Sequence, residues 1–232
     1  MFKLYFFNEL DSTNIKARDY KENSIIVAEL QTKGRGKFDR KWASNFGGLY
    51  FSIVLGPNKV KNPAELTFLA ALCVKKTLDG FVDSKIKWPN DVYVRDKKIC
   101  GILTEGIYNP NLSKLIVGVG INTNNELPQE LSSKATSLSK IICEKVNNNN
   151  LLYKFIKNFE HFYKLYIGRG FSKILELWKE NSNTINRYIK IVSIDNVFVG
   201  RVIDVALDCS LQLKLKNGNI KKIIEGDLYF LD

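Results

Sequence analysis

The chain has 232 residues, 45% of them hydrophobic, and a formal net charge of +11. That allows one large domain, or one main domain with a small companion. No apolar run approaches the ~18 residues of a helical membrane span, so no membrane association and a cytoplasmic location are expected. The four cysteines, Cys73, Cys100, Cys143 and Cys209, lie far apart without a CxxC pair, which argues against a zinc ribbon or disulfide framework and for reduced, structural thiols. The one histidine, His161, sits in an apolar helical pattern, so Ser-His, Cys-His and multi-His metal chemistry is not expected. The positive charge points to an anionic partner such as phosphate or nucleic acid. Lysine spread through the whole chain would give the same balance as compositional drift.

In chain order, Phe2 to Phe7 reads as a strand, and Asp11-Ser12-Thr13-Asn14 supplies oxygens that can cap a helix beginning near Ile15; capping alone would account for these residues. Asn23-Ser24 makes a turn into a strand from Ile25 to Leu30, which delivers Gln31 and the segment QTKGRGKFDRKW. Those twelve residues carry five positive charges against the single Asp39, with two glycines where the backbone must fold tightly. The segment reads either as a phosphate cradle or as a solvated loop. Gly47-Gly48 then opens the apolar strand LYFSIVL. Asn62-Pro63-Ala64-Glu65 is a helix start with an N-cap, a proline in first position and a glutamate placed to close a capping box; the helix runs to about Asp79, with Leu66, Leu69, Ala70, Cys73 and Val74 as its core stripe.

Lys85 to Trp88 and Val92 to Arg95 read as strands flanking the turn Pro89-Asn90-Asp91, and Asp96-Lys97-Lys98 turns the chain into ICGILTEGIY, followed after Asn109-Pro110-Asn111 by KLIVGVGINTN. Three strands in hairpin order imply a mainly antiparallel sheet in an α+β fold. Gly101, Gly118 and Gly120 are strand glycines, which mark either a bulge or the approach of something other than their own side chain. Glu126 to about Asn150 is polar and irregular, with Ala135-Thr136-Ser137-Leu138 leading into a short helix. Leu151 to Tyr166 and Phe171 to Glu180 read as helices. From about Ile185, closely spaced short strands separated by Asp195-Asn196, Asp208-Cys209-Ser210 and Asn217-Gly218 indicate a small barrel, with Tyr188, Phe198, Tyr229 and Phe230 filling its core. A domain boundary is placed near Asn183, giving residues 1–183 and 184–232.

GRGKFDRKW, then KWPNDV, KKICGILTEG and VGVGINTN, in that order, resembles the biotin–protein ligase family over nearly the whole chain. The resemblance implies a class II synthetase-like catalytic domain followed by an SH3-like β-barrel, in a short form without the family's N-terminal DNA-binding domain. It also implies a two-step reaction. Biotin's carboxylate attacks the α-phosphate of ATP, releasing pyrophosphate, and the biotinyl-adenylate then acylates a lysine of a biotin carboxyl carrier protein domain. ATP and Mg²⁺ would be required. No specific DNA binding is expected, and the protein would be a monomer or homodimer.

By this resemblance, Ser12, Thr13 and Gln31 would hydrogen-bond the ureido ring, and pairing of that kind rejects analogues lacking the polar atoms by roughly 10⁴ to 10⁵. The backbone at Gly34, Gly36, Gly101 and Gly118 would let ligand approach closely. Arg35 would bind near the carboxylate and phosphate, and Lys98 would be the main catalytic cation, following charge from carboxylate to phosphoanhydride. Lys37, Arg40, Lys87, Asn90 and Asn122 would bind nucleotide, with Trp42 stacking on adenine, though Trp42 alone reads as a core tryptophan. Asp91 would help hold magnesium, usually through water; without the resemblance, Pro89-Asn90-Asp91 is only a turn. A cation about 4 Å from a phosphate oxygen contributes ~1 kcal/mol in water and ~4 kcal/mol at an effective dielectric near 20, so the basic loop should close over ligand. The barrel would contact ATP or the carrier, with Gly226-Asp227 facing the main domain.

Two positions depart from the family pattern. Lys37 stands where many relatives carry a second arginine, and Asp39 stands where glycine is common; both bear on retention of the adenylate. A lipoate–protein ligase of the same fold is the nearest alternative, with the GRG loop and KWPND favouring biotin. A basic nucleic-acid-binding module is a second, of another class.

Overall fold

In the computed structural model, residues 1–57, 60, 62–193 and 196–232 are described. The turn residue Asp195 and the side chain of Asp39 lie outside them. A seven-stranded sheet is built from β1 (Lys3–Leu10), β2 (Ser24–Gln31), β3 (Leu49–Leu55), β4 (Ser84–Lys87), β5 (Asp91–Val94), β6 (Lys97–Tyr108) and β7 (Leu112–Ile121), in the order β1-β2-β3-β7-β6-β5-β4. Every pair is antiparallel except β1 with β2, whose connection carries the short helix α1 (Thr13–Ala17). The mainly antiparallel α+β sheet expected from the sequence is present.

Alternation along the central strands gives the sheet two faces of different chemistry. Phe51 and Ile53 on β3, with Val117 and Val119 on β7, enter the main core beneath α2 (Pro63–Leu78), α4 (Asn148–Arg169) and α5 (Phe171–Glu180). Ser52, Gly118 and Gly120, which alternate with them in sequence, face the other way, toward the basic loop and α1. α2 is buried nearly all round rather than along one stripe, with Leu66, Leu69, Leu72 and Val74 all fully buried. Each such side chain contributes about 1.5–3 kcal/mol relative to exposure, so a rigid floor lies under the functional face.

Several local expectations are corrected. Ser12 is the N-cap of α1 but makes no side-chain capping bond; Thr13 and Asn14 turn inward instead. Asn62 caps α2, accepting from the Ala64 N–H at 3.0 Å, while Glu65 does not close the box because its carboxylate accepts the buried Tyr166 hydroxyl at 2.5 Å. The Asn run belongs to a helix: Asn147 accepts the Asn150 N–H at 3.0 Å, so α4 begins three residues earlier than its apolar pattern, while the short helix expected before it is present as α3 (Leu138–Ile142). Cys73, Cys100 and Cys209 are buried, but Cys143 is exposed at a left-handed position after α3.

The C-terminal segment forms a five-stranded antiparallel sheet from β8 (Tyr188–Val192), β9 (Val197–Val205), β10 (Leu211–Leu215), β11 (Ile220–Ile223) and β12 (Asp227–Phe230), in the order β11-β10-β9-β8-β12. This architecture is consistent with an SH3-like domain. Its core is aliphatic, with Ile189, Ile191, Val202, Leu211 and Leu213 fully buried. The aromatics fill it only in part: Phe198 and Phe230 pack against the core, Phe230 also lying between the cations of Lys87 and Arg187, while Tyr229 is 51% exposed. The small sheet is tied to the large one where the KWPND segment turns. The buried Trp88 donates from Nε1 to the Cys209 carbonyl at 3.0 Å, and its backbone N–H donates to Thr184 Oγ1 at 3.0 Å.

Candidate active site

The functional face holds a cavity of about 450 Å³. Its floor is the glycine-bearing stretch of β6 and β7, its roof is the loop after β2, one end is α1, and the other is the KWPND turn together with β12. The four motifs, dispersed along the sequence, meet here because β2, β5, β6 and β7 all present their residues to the same side of one sheet.

At the α1 end the site is polar and buried, with its charges gathered where Glu105 meets Arg18 and Arg35. Ser12 is 3% exposed, and Thr13 and Asn14 are each 4% exposed. Gln31, at the end of β2, accepts the Thr13 backbone N–H at 2.8 Å and the Thr13 hydroxyl at 3.1 Å, and donates to Ser44 Oγ at 2.8 Å. Asn14 donates to Glu105 Oε2 at 2.7 Å and to the Leu103 carbonyl at 3.2 Å. Ser52 Oγ lies 2.6 Å from Asn14 Oδ1 and 2.8 Å from Thr13 Oγ1. Arg35 reaches the cavity but is ion-paired with Glu105 at 3.3 Å, a carboxylate that also meets Arg18 at 3.2 Å.

At the KWPND end the groups are charged. Lys98 is aimed by a β-bulge: its register with β5 slips between Val92 and Tyr93, so Ile99 and Cys100 both enter the core while Lys98 and Gly101 both face the cavity. The Lys98 backbone is held on its other side by Lys134 and Thr136. Its ammonium pairs with Asp91 at 2.6 Å and lies 5.2 Å from the centre of the Trp42 ring. Lys87 sits between Tyr93, at 4.6 Å, and Phe230, at 5.1 Å. Burial holds the ammonium groups of Lys37 and Lys87 below the usual lysine range, with Asp91 pulling each back up. Asn90 is turned to the Ile102 carbonyl at 2.8 Å, and Asn122, 2% exposed, accepts from Asn125 at 3.2 Å.

Most of the residues singled out in the sequence therefore face one cavity, with two corrections and one expectation met. Gly34 does not line it; a Cβ there would meet the Trp42 carbonyl and Ser44 Oγ at 2.4 and 2.5 Å, so this glycine lets the loop close on itself. The strand glycines are covered by this chain's own side chains: the Trp42 indole lies against Gly101 and Gly120, and the Asn14 amide against Gly118. Arg40, at the cavity mouth, is bound in bidentate fashion by Asp227 of β12 at 2.7 Å through both nitrogens, which bears out Gly226-Asp227 facing the main domain. Among the described residues, no three His, Cys, Asp or Glu side chains gather to hold a metal. Asn14, Ser52 and Glu105 were missed. Asn14 looked like a cap and Ser52 like an ordinary strand residue, while Glu105 was within a quoted motif without a role; only the parity of Ser52 against Phe51 and Ile53 could have pointed inward.

A mainly antiparallel sheet with a cation-rich cleft over strand glycines, joined to a small five-stranded sheet at its mouth, defines the class, a ligase fold whose cleft is suited to anions. The chain belongs to the biotin/lipoate A/B protein ligase family, whose model matches residues 6–122, and it is an enzyme of the ligase class. It is 32% identical to the bifunctional ligase/repressor BirA of Bacillus subtilis (strain 168) over 97% of this chain and 73% of that protein. It is 33% identical to biotin–protein ligase 2 of Arabidopsis thaliana over 67% of this chain and half of that protein. Among solved structures, the biotin protein ligase from Aquifex aeolicus in complex with biotin and ATP superposes with a TM-score of 0.87 at 30% identity, covering 98% of this chain and 97% of the other. No described helix is long and apolar enough to cross a membrane.

Proposed function

We propose that this chain is a biotin–protein ligase that makes biotinyl-5′-AMP from biotin and ATP and transfers the biotinyl group to a lysine of a biotin carboxyl carrier protein domain. The observation that carries it is the two-ended cavity, with a polar pocket at α1 hydrogen-bonded through Thr13, Asn14, Gln31 and Ser52 and a cluster of cations at the KWPND turn. The ureido ring belongs at Ser12, Thr13 and Gln31. The valeryl carboxylate then lies toward Lys98 and the triphosphate toward Lys37 and Lys87.

In the first step a biotin carboxylate oxygen bonds to the α-phosphorus and the bond to the bridging oxygen breaks, releasing pyrophosphate. Lys98 is suited to neutralise charge on both reacting groups once the incoming anions compete with Asp91 for its ammonium. In the second step the carrier lysine, as the free amine, attacks the acyl carbon, AMP leaves and the ammonium proton passes to solvent. Arg40 and Asp227 hold the loop over the cavity, which keeps water from the mixed anhydride. Magnesium travelling with the nucleotide would find two carboxylates lining the cavity, Asp91 already paired with Lys98 and Asp227 with Arg40, and among the described residues no third ligand joins either, so the residues present do not fit a metal site held by protein alone. We place the division between catalytic unit and barrel near Asn183.

The test is exchange of labelled pyrophosphate into ATP, with biotin or lipoate as the acid. Biotin-dependent exchange is expected; exchange with lipoate and none with biotin would replace this assignment.

A further inference from the structure

The hydrogen bonds at the α1 end run in one continuous chain from a charge to the ligand pocket. Glu105, 18% exposed at its side chain, can only accept as the carboxylate, so the amide of Asn14 must present Nδ2 to it, at 2.7 Å, and Oδ1 to Ser52. Asn14 cannot flip without setting oxygen against oxygen at Glu105. Ser52 is fully buried on β3 and has one hydroxyl proton. With Asn14 Oδ1 at 2.6 Å, an atom that only accepts, that proton is committed. The Thr13 hydroxyl, 2.8 Å from Ser52, then gives its own proton inward, to Ser52 Oγ or to Gln31 Oε1, and is left with lone pairs toward the cavity.

We propose that Glu105, Asn14 and Ser52 are positioning residues that fix the polarity of Thr13, making it an obligate acceptor for a ring N–H of a cyclic urea. None of the three needs to touch ligand. Gly118 belongs to the same device, because a Cβ there would fall 2.0 Å from Asn14 Oδ1 and force the amide out of line. The consequence is selectivity with a defined chemical sign: a ring carrying an N–H is paired, and the same ring carrying an oxygen at that place meets lone pair against lone pair. Cutting the chain frees the Thr13 hydroxyl to rotate and donate, so the penalty against the oxygen analogue relaxes.

The inference rests on biotin as the ligand. It is tested by measuring, for the full chain, the affinity for biotin and for an oxazolidinone analogue with one ureido N–H replaced by oxygen, together with the KM for ATP. Wild type should prefer biotin by at least about 100-fold, in line with the rejection expected when buried polar groups go unpaired. Ser52→Ala should shrink that ratio about tenfold with the KM for ATP within about twofold, and Glu105→Gln should shrink it less, since glutamine keeps an oxygen for Asn14. A merely structural role would weaken both ligands equally; an unchanged ratio in both variants overturns the proposal. If Ser52→Ala does not fold, Glu105→Gln decides. If wild type binds no biotin, the functional assignment fails and this inference falls with it.

Discussion

At the α1 end of the cavity, Thr13, Asn14 and Ser52 are at most 4% exposed and bonded to one another before any ligand arrives, whereas at the KWPND end Lys98 and Arg40 rest on the carboxylates of Asp91 and Asp227. The first arrangement is selective because its geometry is fixed and unpaired atoms are costly in a buried site. The second is adaptable, since each cation has an internal partner that an incoming anion can displace. Recognition and chemistry are thus divided along one cavity, and substitutions should separate them.

The largest effect is expected at the charged end. Lys98→Ala should fold normally yet lose adenylate formation by about 10²- to 10³-fold, as for removal of one preorganised electrostatic group; pyrophosphate exchange measures it, and normal turnover would remove Lys98 from its role. Next is the floor. In Gly120→Ala the new Cβ would lie 2.4 Å from Trp42 Nε1 and 2.8 Å from Cε2, so the indole must leave its seat. The KM for ATP should rise about tenfold with that for biotin nearly unchanged, which corresponds to ~1.4 kcal/mol; equal changes in both would mean the two ends are not separable.

A pH effect sharpens the contrast. Burial depresses the ammonium pKa values of Lys37 and Lys87, and a bound polyphosphate would raise them again. Nucleotide affinity should therefore fall as pH rises through the lowered free-enzyme values, and binding in the window between free and bound values should take up protons. Calorimetry in two buffers of different ionisation heat reads this; biotin binding at the α1 end should show little uptake.

The smallest effect is expected at the loop latch. Arg40 and Asp227 are 55% and 35% exposed, so their coupling in a double-mutant cycle of unfolding should be only about 0.2–1 kcal/mol. Proteolysis at the loop should nevertheless quicken in Asp227→Ala.

The strands, α2, α5 and the order of the motifs were legible because periodicity and turn residues are local signals. Legibility failed where a residue's role depends on a distant strand. Asn14 and Glu105 are 91 positions apart, and Arg40 and Asp227 are 187 apart, and no local pattern marks either pair. The bulge that turns Lys98 toward Gly101 was hidden as well, since Ile99 and Cys100 read as ordinary alternation until both proved buried. Lys37 was picked out as a basic loop residue, and its half-buried place beside the charge of Asp91 gives it a physical setting that the sequence alone does not show.

The most direct measurement incubates the protein with biotin and ATP labelled in the α-phosphate, separates it rapidly from free nucleotide, and identifies the label that travels with the chain. The predicted result is stoichiometric biotinyl-adenylate in wild type, lost in Lys98→Ala and released on adding a carrier domain, which becomes biotinylated. Retention of unreacted ATP alone, or of an acyl-adenylate formed with lipoate but never with biotin, would contradict the assignment.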